Sequence, residues 1–110
     1  MSIEDVNKID SMAIPSDGSG MVSLAISDHL SWDSPVEEHL YKLQEKINAY
    51  ISFIESGDIY ESFPQSKGKY LKIIEIYFKY DPPEQALSFL KQVSDILKSI
   101  NIDLKYKVLR

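Results

Sequence analysis

Two hydrophobic periods alternate along this chain and lay out its elements. Residues 21–28 repeat with period two: Val22, Leu24 and Ile26 face one way and Ser23, Ala25 and Ser27 the other, which predicts a half-buried strand. Ahead of it, Val6, Ile9, Met12 and Ile14 alternate less cleanly, so residues 6–14 predict a weaker strand. The run Pro15-Ser16-Asp17-Gly18-Ser19-Gly20 between them supplies positive-φ positions and predicts a β-hairpin. The period then changes. Val36, Leu40, Leu43, Ile47, Tyr50 and Ile54 follow one another at spacings of 4 and 3, the stripe of an amphipathic helix widened by Ile51 and Phe53.

The helix ends are written in the sequence as well. Ser34 is a good N-cap, Pro35 suits the first helical position and Glu37 completes a capping box, while Gly57 is a natural stop. Residues 57–69 contain Gly57, Pro64 and Gly68 and read as a loop with room for a short extended piece at 59–63. Residues 70–80 are β-branched and aromatic, with Ile74, Ile76 and Phe78 on one face and Ile73, Glu75, Tyr77 and Lys79 on the other. Asp81-Pro82-Pro83-Glu84 predicts a second capped helix start, with Asp81 as the cap and Pro82 in first place. Its stripe is Ala86, Leu90, Val93, Leu97 and Ile100, with Asn101 as the stop. Ile102, Leu104, Tyr106 and Val108 then alternate with Asp103, Lys105 and Lys107 as a last strand.

The expected order is β-β-α-β-α-β. Strands joined by a tight turn run antiparallel and those joined through a helix parallel, with right-handed crossovers. The expected fold is therefore α+β and two-layered, a mixed four-stranded sheet with two helices on one face. The uncovered face, carrying Ala13, Ser23, Ala25, Tyr77, Lys105 and Lys107, is left to solvent or to a second copy of the chain, as in a homodimer.

Composition narrows the class without changing this outline. A length of 110 residues suits one domain over 1–110, with residues 1–5 expected to fray. No cysteine is present, so disulfide scaffolds, thiol catalysis and cysteine-ligated zinc are excluded, and a reducing compartment fits. Neither a signal peptide nor a membrane span is expected, because Glu4, Asp5 and Asp10 break the start and no apolar run is long enough. The expected location is the cytoplasm. The net charge of −5 is uneven: residues 1–66 hold three lysines against twelve acids, and residues 67–110 nine bases against five. A concentrated basic face for nucleic acid is not predicted, whereas an acidic surface would steer towards a basic partner. The two halves also interleave on folding, which would dissolve the asymmetry.

The chemistry-bearing residues crowd into 26–64. Asp28, His29, Asp33, Glu37, Glu38 and His39 are ligand types for divalent metals, but no His pair stands at i, i+4, and Glu38 and His39 lie about 100° apart on a helix. The competing reading is structural, with Asp28 bonding to loop backbone and the glutamates facing the positive end of the helix dipole. Ser27, Asp28 and His29 are chain neighbours that point in alternate directions, and no Gly-x-Ser-x-Gly elbow is present. Gly18 and Gly20 lack the Lys-Ser/Thr of a phosphate loop. Neither catalytic, metal nor cofactor residues are assigned. Trp32 is expected to plug the core end together with Leu30, or else to anchor a partner.

The runs Ile26-Ser27-Asp28-His29-Leu30-Ser31-Trp32, Glu38-His39-Leu40, residues 43–50, and Phe53-Ile54-Glu55-Ser56-Gly57 into Ile59, Tyr60, Glu61 and Pro64 resemble a small uncharacterised bacterial family of unknown function. The resemblance covers essentially the whole chain and implies a stand-alone cytoplasmic bacterial protein. It carries over no activity and no catalytic residue.

Capping, the stripe and the Trp plug account for most of residues 26–64. His29, Tyr41, Glu55, Asp58, Tyr60, Glu61 and Phe63 are left over, and these form the candidate interaction surface. The leading expectation is a non-catalytic protein-interaction module, one version being an acidic, immunity-like binder of a basic partner. The alternative is a small metal-dependent or ligand-binding enzyme using Asp28, His29 and Asp33. No cofactor is implied.

Overall fold

The structure is a computed structural model and describes residues 9–13, 20–33, 35–62, 64 and 71–109. Its elements are β1 (Ser11–Ala13), β2 (Met21–Asp28), α1 (Val36–Glu55), α2 (Asp58–Ser62), β3 (Leu71–Phe78), α3 (Glu84–Lys98) and β4 (Ile102–Val108). They build a mixed four-stranded sheet whose spatial order, β1-β2-β3-β4, is the chain order. β1 runs antiparallel to β2, with Met12 opposite Leu24, and β2, β3 and β4 are mutually parallel.

Both parallel connections step the same way across the sheet. Crossovers of one hand must then place α1 and α3 on the same face. The core shows that they do: Val22, Leu24 and Ile26 of β2 and Ile74, Ile76 and Phe78 of β3 cluster with Leu43, Ile47, Tyr50 and Ile54 of α1 and Leu90 and Leu97 of α3. Of the stripes drawn from the sequence, Leu43, Ile47, Tyr50 and Ile54 and then Ala86, Leu90 and Leu97 are buried, with Val93 packed against the core, whereas Val36 and Leu40 are only half-buried. Among the described residues no helix covers the opposite face, and its centre is polar. Glu75 accepts hydrogen bonds from Ser23 Oγ (2.9 Å) and Tyr77 OH (3.0 Å).

Four expectations need correction. The extended piece expected at 59–63 is helical as far as it is described: Asp58–Ser62 forms the short helix α2, which buries Ile59 in the core, so the order is β-β-α-α-β-α-β, and residue 63 lies outside the described residues. Gly57, at φ +86°, turns the chain between α1 and α2. The first strand is short, Ser11–Ala13, and Ile9 and Asp10 precede it outside regular structure. Both helices begin later than their capping signals place them. Pro35 and Pro83 occupy the N-cap positions without a side-chain cap, and their carbonyls accept the first helical N–H groups. Asp81 is therefore not the cap of α3, and Ser34 lies outside the described residues. Finally, α3 stops at Lys98, leaving Ile100 39% exposed beyond it. Asn101, in the left-handed region at φ +62°, makes the expected stop. Asn tolerates that conformation better than other side chains bearing a Cβ.

Candidate functional site

Helix α1 lies on the sheet with a polar line running through its buried face. His39, Lys46 and Tyr50 are spaced 7 and 4 apart, share that face with Leu43, Ile47 and Ile54, and are each at most 5% exposed. Each meets a polar group from the strands or from the segment ahead of β1.

Near the start of α1, His39 Nε2 lies 2.6 Å from Asp28 Oδ2, the last residue of β2. Asp28 Oδ1 accepts the Leu30 N–H at 3.1 Å, an Asx-type turn that ends the strand. His39 Nδ1 faces the Ser31 carbonyl at 3.3 Å. A carbonyl oxygen only accepts, so Nδ1 carries a hydrogen. The 2.6 Å contact between Nε2 and Oδ2 is a short, buried hydrogen bond. Burial pushes the Asp28 carboxyl above its ordinary value, and its bond to His39 pulls the other way. Trp32 stacks flat on the imidazole, with centroids 3.6 Å apart and planes 13° apart, and donates Nε1–H to the Tyr80 carbonyl at 3.4 Å. It thereby seals the carboxyl ends of β2 and β3. This is the plug expected of Trp32, with His39 as the surface it closes on.

Two turns further along α1, Lys46 Nζ lies 2.9 Å from Asp10 Oδ1, with both side chains buried. Asp10 Oδ2 accepts the Ser27 N–H at 2.8 Å. The Tyr50 hydroxyl accepts the Asp10 N–H at 2.8 Å and donates to the Ala25 carbonyl. Burial holds that phenol well above its ordinary range. Asp10 thus ties the segment ahead of β1, the β2 backbone and α1 together. Among the described residues no buried side-chain nitrogen or oxygen lacks a partner.

These side chains spend their hydrogen-bonding capacity inward. The cavity beside His39, lined by Leu30, Ser31, Glu38, His39 and Lys42, is about 130 Å³. That is room for a few waters, below the roughly 300 Å³ at which small-molecule pockets begin. Asp28 and His39 form a latch; His29 and Asp33 are exposed, and His29 lies close enough for its charge to favour the Asp28 carboxylate. Among the described residues no three His, Asp or Glu side chains converge as a metal site.

The residues of the candidate surface separate into two groups. His29, just past β2, and Tyr41, 63% exposed in the first half of α1, lie towards one end. Glu55, Asp58 and Glu61 are exposed at the other end, where α1 passes into α2. Helical rise alone separates Tyr41 from Glu55 by about 21 Å. Tyr60 lies in α2 and not in a loop. It is half-buried against the core, and its hydroxyl accepts from Lys72 Nζ at 3.0 Å. Phe63 lies outside the described residues. The sequence reading missed Asp10, His39 and Lys46 as a set. The available signal was a histidine and a lysine one position off an otherwise apolar stripe.

Residues 1–110 match the model of a family described as Family of unknown function (DUF6572), and the chain belongs to that family. No curated protein and no solved structure matches it. Among the described residues no helix is long and apolar enough to cross a membrane.

Proposed function

We propose that this member of the DUF6572 family is a non-catalytic protein-interaction module of a bacterial cytoplasm that binds a basic partner, in the manner of an immunity protein, through the acidic end of the α1–α2 pair. One observation carries the reading. Glu55, Asp58 and Glu61 are all exposed where α1 meets α2, and neither helix has a base in its last turn. A carboxylate at a helix C-terminus opposes the helix dipole, at about 0.3–1 kcal/mol, and that is the position of Glu55 at the end of α1, whereas Asp58 and Glu61 stand in the first turn of α2, where the dipole favours them. Folding does not call for Glu55 there, and three exposed acids at one corner suit a basic partner. The inward-facing bonds of Asp28, His39, Asp10, Lys46 and Tyr50 support the non-catalytic part of the reading, because they hold these groups away from any substrate.

The test is a tagged-protein pull-down from the native host, run beside a variant carrying Glu55→Lys, Asp58→Lys and Glu61→Lys. The expected result is a stoichiometric basic partner that the variant binds at least about tenfold more weakly, with binding that also weakens as salt rises. The thermal midpoint of the variant should stay within a few degrees of the wild type, since all three positions are exposed. A complex that forms equally well with the variant would overturn this surface.

A further inference from the structure

We propose that β4 is a dimerisation edge, where a second copy of this chain adds its own β4 in antiparallel register across a two-fold axis, joining two sheets into one of eight strands. The inference is independent of the acidic α1–α2 end.

The two edges of the sheet differ. β1 has three residues, the short form in which edges are kept from pairing, whereas β4 is a regular seven-residue strand. Among the described residues nothing pairs with its outer side. The Leu109 N–H reaches inward to the Phe78 carbonyl at 2.8 Å. Strand alternation then aims the N–H and C=O groups of Ile102, Leu104, Tyr106 and Val108 outward. Beside this edge runs a groove of about 270 Å³ between α3 and β4, lined by Leu87, Leu90, Lys91, Ser94, Leu104 and Tyr106, with Tyr106 46% exposed.

The side chains of β4 select a copy of itself. A two-fold axis perpendicular to the sheet through Leu104 opposes Leu104 to Leu104 and Ile102 to Tyr106 on the core face, so the two grooves face each other, with Leu104 and Tyr106 at the seam and Lys91 and Ser94 on its α3 side. On the open face the same register opposes Asp103 to Lys105 of the second copy, twice. Within its own chain Lys105 is already in register with Glu75. In the dimer it would stand between Glu75 on one side and the second copy's Asp103 on the other. No like charges are opposed in this register. Shifting the axis to Lys105 would set two lysines face to face, which disfavours that alternative. The outward backbone groups of each opposed even-numbered pair would exchange both their N–H···O bonds.

The experiment is sedimentation of the purified chain from roughly 10 µM to 1 mM, with charge-exchange variants. Wild type should reach dimer mass. Asp103→Lys and Lys105→Asp should each raise the dissociation constant about tenfold or more, and the double exchange D103K/K105D should restore it. Circular dichroism confirms that each variant is folded. Amide exchange on the wild type gives a second readout: the Leu104 and Tyr106 N–H groups should slow with concentration while the Leu109 N–H does not change. Monomer mass throughout, a dimer insensitive to both single exchanges, or β4 amides that ignore concentration would each overturn the proposal, the first leaving the edge to an extended segment of another protein. Charge reversal at Glu55, Asp58 and Glu61 should leave the mass unchanged, so this proposal and the partner reading fail separately.

Discussion

Burial sets the character of the Asp28–His39 latch. The short bond between Asp28 Oδ2 and His39 Nε2 works against the burial that disfavours the Asp28 charge, and burial is the larger effect. Asp28 is raised above its ordinary value, mainly by burial. A raised group contributes stability that is fully present below its unfolded value and is lost as pH rises through its folded one. Asp28→Asn keeps the acceptor for Leu30 N–H and puts a permanent donor opposite Nε2. The stability advantage of wild type over the variant should therefore shrink as pH climbs from about 4 towards neutrality. Paired urea titrations across that span check the sign, and an advantage that grows with pH would contradict the assignment.

Helix α1 is held to the sheet by apolar contact along its stripe and by polar bonds along one flank. The Lys46–Asp10 pair belongs to that flank and spans 36 residues of sequence. Lys46→Met should cost about 3–5 kcal/mol, because it strands a buried carboxylate. Adding Asp10→Asn, which still accepts the Ser27 N–H, should recover most of the loss. A denaturation double-mutant cycle measures the coupling. The contrast between stripe and flank also shows what was legible in the sequence. β2, α1, α3 and β4 were readable because each buries one face for a full period or more, and local alternation records that directly. α2 was not, since its five residues are too few to display a period. In the sequence His39 reads only as a metal-ligand type and Lys46 shows no role, because the acids that meet them, Asp28 and Asp10, lie outside any helical window. The late helix starts were missed for a related reason: backbone carbonyls of Pro35 and Pro83 do the work that side-chain caps advertise. Of the candidate surface, exposure at Tyr41 and Glu55 follows from the helical period, whereas Asp58 and Glu61 read as loop residues and stand on α2, and the length of α1 sets Tyr41 far from that acidic end.

At the scale of the molecule, stability should grade across the sheet. β2 and β3 are paired on both sides and covered by α1 and α3, whereas β1 is three residues long and paired on one side only. Native-state amide exchange should therefore be slowest at Leu24, Ile26, Ile74 and Ile76 and fast across β1, with the β1 edge opening before the core does. A β1 that exchanges as slowly as β3 would show that Asp10 anchors it more firmly than its length implies. The match between spatial order and chain order has a consequence for biosynthesis. As the chain leaves the ribosome, each strand arrives at the open side of the one before it, and no strand has to be threaded between two already joined. β3 can dock as soon as α1 has crossed, and of the four strands β4 joins the sheet last.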